Sequence, residues 1–203
     1  MLESLAGRLG AAILRGQVLF YSVFGLQDQA IKCLQRAYAM RPVDFFILTT
    51  LAHFLGQREA GQASPDRAEA IQLLRKALML RPDCAPVHFN LAYLLEQHGQ
   101  LGDAEAAFRQ ALTLDEKLDR AWYGLGLVLI RQRRFEEAVL ALRRNTGLQP
   151  MSPFGWYQLA RVHLELKQPE KTEEIIRHLQ GFEPKVAAQL RRETGLGRTA
   201  LGP

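Results

Sequence analysis

Five histidines and two cysteines are the side chains of this 203-residue sequence best suited to catalysis or metal binding. The histidines are His53, His88, His98, His163 and His178, and no two of them have HxxxH or HExxH spacing. Cys33 and Cys84 each stand alone, so we expect reduced thiols and no disulfide framework. Gly124 and Gly126 begin a dinucleotide-like pattern, but Leu129 replaces its third glycine and no strand precedes it. The sequence therefore predicts a non-enzymatic protein without a catalytic residue, a metal site or a cofactor.

Aromatic and arginine side chains at helical spacing indicate a different chemistry. Arg120, Tyr123, Leu127 and Arg131 recur every three or four residues, which places them on one face of a helix. Aromatic residues and arginine concentrate binding energy at protein interfaces. The same positions in the related segments complete a candidate partner-binding set: Phe46, His53, Phe89, Asn90, Tyr93, Arg120, Tyr123, Leu127, Arg131, Phe154, Tyr157, Gln158 and Arg161. The alternative is that some of these aromatic residues pack between neighbouring segments.

The segments that must position these residues are repeats with a period of about 34 residues. Counting from Trp122, the offsets 3, 4, 7, 16, 20 and 28 give Leu125, Gly126, Leu129, Ala138, Leu142 and Pro150. The same offsets from Trp156 give Leu159, Ala160, His163, Thr172, Ile176 and Pro184, and similar series start at His88, Leu48 and Leu14. Within each unit the offsets of 3, 4 and 7 predict one buried helical face. A small residue at Gly126, facing Ala138, is expected to let two helices approach closely.

This register resembles the tetratricopeptide repeat family, in an array of bacterial type. The resemblance implies an all-α fold, a right-handed α-solenoid of tandem antiparallel helix pairs with a C-terminal capping helix. The repeat array spans residues 1–186, with units at about 11–44, 45–84, 85–118, 119–152 and 153–186, and residues 187–203 form the capping helix and a mobile tail. Asn145, Thr172 and Glu116 depart from the residue types of the family. The segment from Gly56 to Pro65 is expected to be an exposed insertion.

The resemblance also implies that the candidate set lines a concave groove for an extended or helical segment of another protein. The expected role is a scaffold, adaptor or assembly factor for a larger complex, and the alternative is a chaperone for secreted or membrane-bound clients. A clamp for chaperone tails is not expected, because Thr49, His53 and Gly124 do not match its positions although Asn90 does. If the groove is not used, Arg133, Arg134, Arg143 and Arg144 on the convex face are the next candidates.

Composition limits the other function classes. The net charge of +5 is concentrated in the segments RQRRF and RRN and in the C-terminal tail, which is weaker than the basic stripe of a nucleic-acid binder. The apolar run VLFYSVFGL is half the length of a membrane-spanning helix, and Glu3 and Arg15 do not fit a signal peptide. We therefore expect a cytoplasmic protein. Membrane contact through Leu14, Leu19, Phe20 and Phe24 of the first unit stays open beside a partner-docking or capping role.

Overall fold

The computed structural model describes residues 2–58 and 64–196, and these residues form eleven α-helices and no strand. This confirms the predicted all-α class. The helices are α1 (Leu2–Val23), α2 (Gln27–Met40), α3 (Phe45–Gln57), α4 (Pro65–Leu80), α5 (Ala85–Gln97), α6 (Leu101–Leu114), α7 (Asp119–Arg131), α8 (Phe135–Leu148), α9 (Pro153–Glu165), α10 (Pro169–Gln180) and α11 (Pro184–Thr194).

The chain divides into two compact units, Met1–Gln100 and Leu101–Pro203. In the first unit each of helices α1 to α5 packs on the next, and α3 also contacts α5. In the second unit helices α6 to α11 pack in the same chain order, while α7 contacts α9 and α9 contacts α11. Because short turns join these helices, neighbours run antiparallel. Each unit therefore has the nearest-neighbour packing of an α-solenoid.

The helix starts differ in how their first backbone N–H groups are capped. The carboxylate of Asp44 accepts hydrogen bonds from the backbone N–H groups of Phe46 and Ile47 at 3.0 and 3.2 Å, so Asp44 caps α3. Ser64 and Ser152 occupy the N-cap positions of α4 and α9, but neither side chain makes a capping hydrogen bond. Proline in the first turn of α4 and α9 is the signal that remains.

A left-handed residue closes the turn between the two helices of a pair. Gly99, Arg133 and Lys167 are 34 residues apart, and their φ angles are 85°, 61° and 57°. Glycine adopts this conformation without cost, whereas a side chain crowds the backbone. The turn between the two helices therefore imposes on Arg133 and Lys167 a left-handed backbone conformation that residues with side chains disfavour.

Most of the predicted register residues are buried in the core, as the fourth repeat illustrates. Leu125, Leu129 and Leu142 are at most 2% exposed. Gly126 is buried as expected, but its neighbour differs from the predicted Ala138: an added Cβ would lie 2.8 Å from the Leu142 side chain. The small residue is thus required beneath a bulky leucine.

Two departures from the family pattern are buried polar residues with partners. The Thr172 hydroxyl donates a hydrogen bond to the Ala160 carbonyl at 3.1 Å, which links α10 to α9. The Asn145 amide donates to the Asp119 carbonyl at 2.9 Å, which links α8 to the start of α7. Both side chains replace alanine without leaving a buried polar group unpaired.

Three element boundaries differ from the sequence prediction. Helix α1 begins at Leu2, well before the expected start of the first repeat at residue 11. Helix α3 continues to Gln57 and holds Gly56 against Leu94, so the predicted loop begins later than Gly56. Residues 59–63 of that loop and residues 197–203 of the tail lie outside the described residues. Helix α11 provides the expected terminal helix and starts at Pro184.

Candidate protein-binding surface

Helix α9 separates its side chains into a buried face and an exposed face. Leu159, Ala160 and Val162 are at most 3% exposed and pack into the second unit. On the other face Phe154 is 68% exposed and Arg161 is also exposed, while Tyr157 and Gln158 are half-buried. Aromatic residues and arginine are the residue types that concentrate binding energy at protein interfaces, which makes this face a candidate site.

Helix α11 covers part of this face. The Tyr157 hydroxyl donates a hydrogen bond to a Glu193 carboxylate oxygen at 2.7 Å, and Gln189 donates to the other oxygen at 2.8 Å. The Glu193 carboxylate raises the pKa of Tyr157, and the Tyr157 hydrogen bond lowers the pKa of Glu193. The Arg161 guanidinium lies 5.8 Å from the centre of the Tyr157 ring. Tyr157 is therefore held in place by α11, and it contributes mainly its ring to the surface.

Helix α7, which contacts α9, carries the neighbouring part of the surface. Tyr123 and Leu127 are half-buried, and Arg120 and Arg131 are exposed. Gly124 follows Tyr123 in the sequence, but it faces the neighbouring helix. An added Cβ at Gly124 would overlap the ring of Phe108 in α6. Gly124 is thus a packing position.

The first unit carries five predicted site residues on α3 and α5, which contact each other. Asn90 and His53 are exposed, Tyr93 is 51% exposed, and Phe46 and Phe89 are half-buried. The Arg15 guanidinium of α1 lies 4.8 Å from the centre of the Phe46 ring, within cation–π range. Phe46 is accordingly covered by α1 on one side, and Tyr93 is more accessible than Phe46 and Phe89.

A charged network that the sequence reading missed joins α6 to α8. Arg134 makes two parallel hydrogen bonds to Glu137, both at 2.7 Å, and a third to Glu105 at 2.6 Å. Arg109 contacts both carboxylates at 3.0 and 3.2 Å. The hydrogen bonds from Arg134 lower the pKa of Glu137, and those from Arg109 and Arg134 lower the pKa of Glu105 against a desolvation that raises it. Arg134, predicted as a candidate on the convex face, is instead a structural residue.

The first aromatic residue of three successive repeats binds a backbone carbonyl six residues upstream. The indole N–H of Trp122 donates to Glu116 O at 2.9 Å, and that of Trp156 donates to Pro150 O at 2.8 Å. The His88 Nε2 atom lies 2.8 Å from Pro82 O in the same register. His88, expected as a core residue, is half-buried and fixes the preceding turn.

His163 is the buried histidine that the register predicted. It is 2% exposed, and its Nδ1 atom lies 2.9 Å from Gln168 Oε1. Burial lowers the pKa of His163, since the charged ring would lose water that one amide oxygen does not replace. Leu55, Leu95 and Leu129 occupy this position in other repeats, so His163 is a polar substitute in an apolar site.

The described residues show neither a metal-binding cluster nor a membrane helix. No group of three histidine, cysteine or acidic side chains within residues 2–58 and 64–196 is placed to hold a metal ion. Among the same residues, no helix is both long and apolar enough to cross a membrane.

Comparison with known protein families identifies tetratricopeptide repeats in the chain. Tetratricopeptide repeat models match residues 62–107 and 98–153. No curated protein matches the sequence significantly.

Solved structures with the same fold cover most of the chain. A crystal structure of MamA protein is 18% identical and covers 95% of this chain and 97% of its own, with a TM-score of 0.73. MamA 41-end from Desulfovibrio magneticus RS-1 is also 18% identical, covers 90% and 96%, and has a TM-score of 0.75. YrrB, a tetratricopeptide repeat protein with an unusual peptide-binding site, is 16% identical, covers 86% and 88%, and has a TM-score of 0.72. At these identities the similarity shows the α-solenoid fold alone.

Proposed function

Because the chain is a tetratricopeptide repeat protein, we propose that it is a non-enzymatic scaffold that holds an extended or helical segment of another protein. In this proposal the binding residues belong to five repeats, at about residues 11–44, 45–84, 85–118, 119–152 and 153–186. The preferred role is that of an adaptor or assembly factor for a larger complex, acting in the cytoplasm. Both cysteines, Cys33 and Cys84, are free thiols, which is consistent with a reducing compartment.

The exposed face of α9 is the observation that carries this proposal. Phe154 is 68% exposed although the opposite face of the same helix is closely packed, and Arg161 lies one turn beyond Tyr157. Tyr123 and Leu127 extend the surface on α7, which contacts α9. A partner segment lying across these two helices would bury aromatic rings and pair with guanidinium groups, the combination that dominates interface energies.

The test begins with capture of a partner by the intact chain, identified by mass spectrometry. Tyr123→Ala and Arg161→Ala are then combined, and affinity is measured by calorimetry while urea unfolding measures stability. We expect affinity to fall by about 2 kcal/mol or more at a nearly unchanged urea midpoint, because both side chains lie outside the core. A Tyr38→Ala, Arg177→Ala variant serves as the matched control. Full affinity in the first variant would exclude the α7–α9 surface.

A chaperone role is the second candidate, and an apolar patch on α1 favours it. Leu19, Phe20, Val23 and Phe24 are between 53% and 71% exposed. Leu14, expected with them in the sequence, is buried at 7% and does not contribute to such a patch. Leu19→Ser with Phe20→Ser should abolish protection of an aggregating client and leave the α7–α9 partner bound. Unchanged protection would exclude this role for the patch.

A further inference from the structure

Two related clefts in the second unit lie away from the exposed face of α9. The first has a volume of about 830 Å³ and is lined by α6, α8, the first half of α7, including Trp122, and the turn before α7. The second has a volume of about 620 Å³ and is lined by α8, α9, including Trp156, and α10. Trp122 and Trp156 are 34 residues apart, as are Leu125 and Leu159 beside them. The clefts are therefore the same feature in successive repeats, and Arg143 and Gly147 line both.

The first cleft combines apolar walls with a cationic rim. Leu112, Leu125 and Leu148 line the cleft together with Trp122, whose indole N–H is already bonded to Glu116 O. Lys117, Arg143 and Arg144 are exposed lining residues, and none forms an ion pair with a carboxylate of the described chain.

Two further charges lie on the rim. Arg109 is paired with Glu105 and Glu137, and Glu116 is the one carboxylate in the lining. Among the described residues that line the cleft, three cations that form no ion pair thus accompany one carboxylate around an apolar floor.

We propose that the first cleft binds an acidic peptide segment through one apolar anchor side chain. The anchor enters between Trp122 and the leucines, and the flanking carboxylates pair with Lys117, Arg143 and Arg144. Charge complementarity favours an acidic ligand, because its carboxylates can pair with the exposed cations of the rim, which attract the peptide and orient it. The apolar floor favours a peptide over nucleic acid, since the cations form a local cluster and no stripe that could follow a phosphate backbone. This site is distinct from the α7–α9 surface of the proposed function.

Tryptophan fluorescence offers a direct test, because Trp122 and Trp156 are the two tryptophans of the chain. In a Trp156→Phe background, Trp122 reports on the first cleft alone. The probe is the synthetic peptide Ac-DEEDFEEDE-amide, titrated at low salt. We expect a saturable change in Trp122 emission, lost on adding salt. A peptide with glycine in place of phenylalanine should bind at least about tenfold more weakly.

Charge reversal separates the cleft from general attraction. Arg143→Glu with Arg144→Glu should weaken the peptide by about tenfold or more, whereas Lys32→Glu with Arg36→Glu on α2 changes the net charge equally and should have little effect. Lys117→Glu, in the turn before α7, gives the same test without altering a helix. Circular dichroism checks the folding of each variant.

Several results would overturn the proposal. One is that the peptide shows no saturable binding into the millimolar range, and another is that the Lys32→Glu, Arg36→Glu control loses as much peptide affinity as the Arg143→Glu, Arg144→Glu variant. The proposal is also wrong if the glycine peptide binds as tightly as the phenylalanine peptide, or if a single-stranded oligothymidylate binds more tightly than the peptide. Loss of peptide binding in the Tyr123→Ala, Arg161→Ala variant would place the peptide on the α7–α9 surface instead. Failure of that variant to affect the captured partner would count against the proposed function and leave the cleft untouched.

Discussion

The contact between α6 and α7 and the contact between α8 and α9 are formed by the same four repeat positions. In the two contacts, however, the glycine stands at a different one of these positions. In the first contact Phe108 faces Gly124, and the other two positions are Ala111 and Ala121, both fully buried. In the second, 34 residues later, Leu142 and Gln158 occupy the positions of Phe108 and Gly124. Asn145 and Gly155 occupy those of Ala111 and Ala121, and an added Cβ at Gly155 would overlap the Asn145 amide.

The comparison shows that a larger side chain on one helix is matched by a glycine on the facing helix in both contacts, although the residue types at each position change. A large ring is accommodated by glycine on the facing helix at one contact, and a larger polar side chain by glycine at the other. Close packing leaves no room for either change alone. A substitution in this chain must therefore be judged against its facing residue, and the average residue of the repeat family gives little guidance.

The largest expected effect comes from moving one residue of the second contact into the first. Gly124→Gln should destabilise the chain by about 2 to 3 kcal/mol, because its Cβ overlaps a Phe108 ring that is 1% exposed. Adding Phe108→Leu completes the transfer and should restore part of the loss. Urea unfolding measures both variants, and an unchanged midpoint for Gly124→Gln alone would show that the ring has room to move.

A smaller coupling is expected at the second contact. Gly155→Ala should cost about 1 to 2 kcal/mol through its clash with Asn145. Asn145→Ala should also cost stability, since it removes the hydrogen bond to the Asp119 carbonyl. The double variant recreates the alanine pair of the first contact, so the two losses should not add. Additive losses in a double-mutant cycle would contradict the facing arrangement.

His163→Leu introduces the leucine of the other repeats and should stabilise the second unit by about 1 kcal/mol. Burial lowers the pKa of His163 below its ordinary value of 6.5. As the pH falls below 6.5, the unfolded chain binds the proton more readily, so the natural protein loses stability. The gain from leucine should therefore grow from neutral to mildly acidic pH. His163→Gln is the control, since it removes the titration without adding apolar packing. If the stability gained by His163→Leu is the same at neutral and mildly acidic pH, the lowered pKa of His163 does not affect folding.

The smallest effect concerns the turn between helix pairs. Lys167→Gly should stabilise the chain by about 0.5 kcal/mol, because it relieves a left-handed side-chain residue at some cost in unfolded-state entropy. Gly99→Lys reverses the change at the equivalent turn of the first unit and should destabilise it. Thermal unfolding of both variants checks the signs, and equal shifts in one direction would show that the φ angle is not responsible.

The sequence predicted most of the helix pairing, because buried positions such as Leu125, Leu129 and Leu142 recur with the period. It could not predict which residue faces Gly124, since that contact joins different repeats and depends on the separation of two helices. The sequence also made Arg134 a binding candidate on the convex face. Its pairing with Glu105 could not be predicted, because the two residues are 29 positions apart and meet only when α6 and α8 pack against α7.

The bonds from Trp122 and Trp156 to the preceding turns determine what their fluorescence reports during unfolding. Both rings lie in the unit Leu101–Pro203, so their emission changes when the turns of that unit unfold and the indole hydrogen bonds break. Circular dichroism instead follows the helices of both units. In repeat proteins neighbouring units can lose structure separately. If the two signals unfold at different denaturant concentrations, their separation measures how far the first unit outlasts or precedes the second. The natural chain thus contains its own reporter of cooperativity, without an added label.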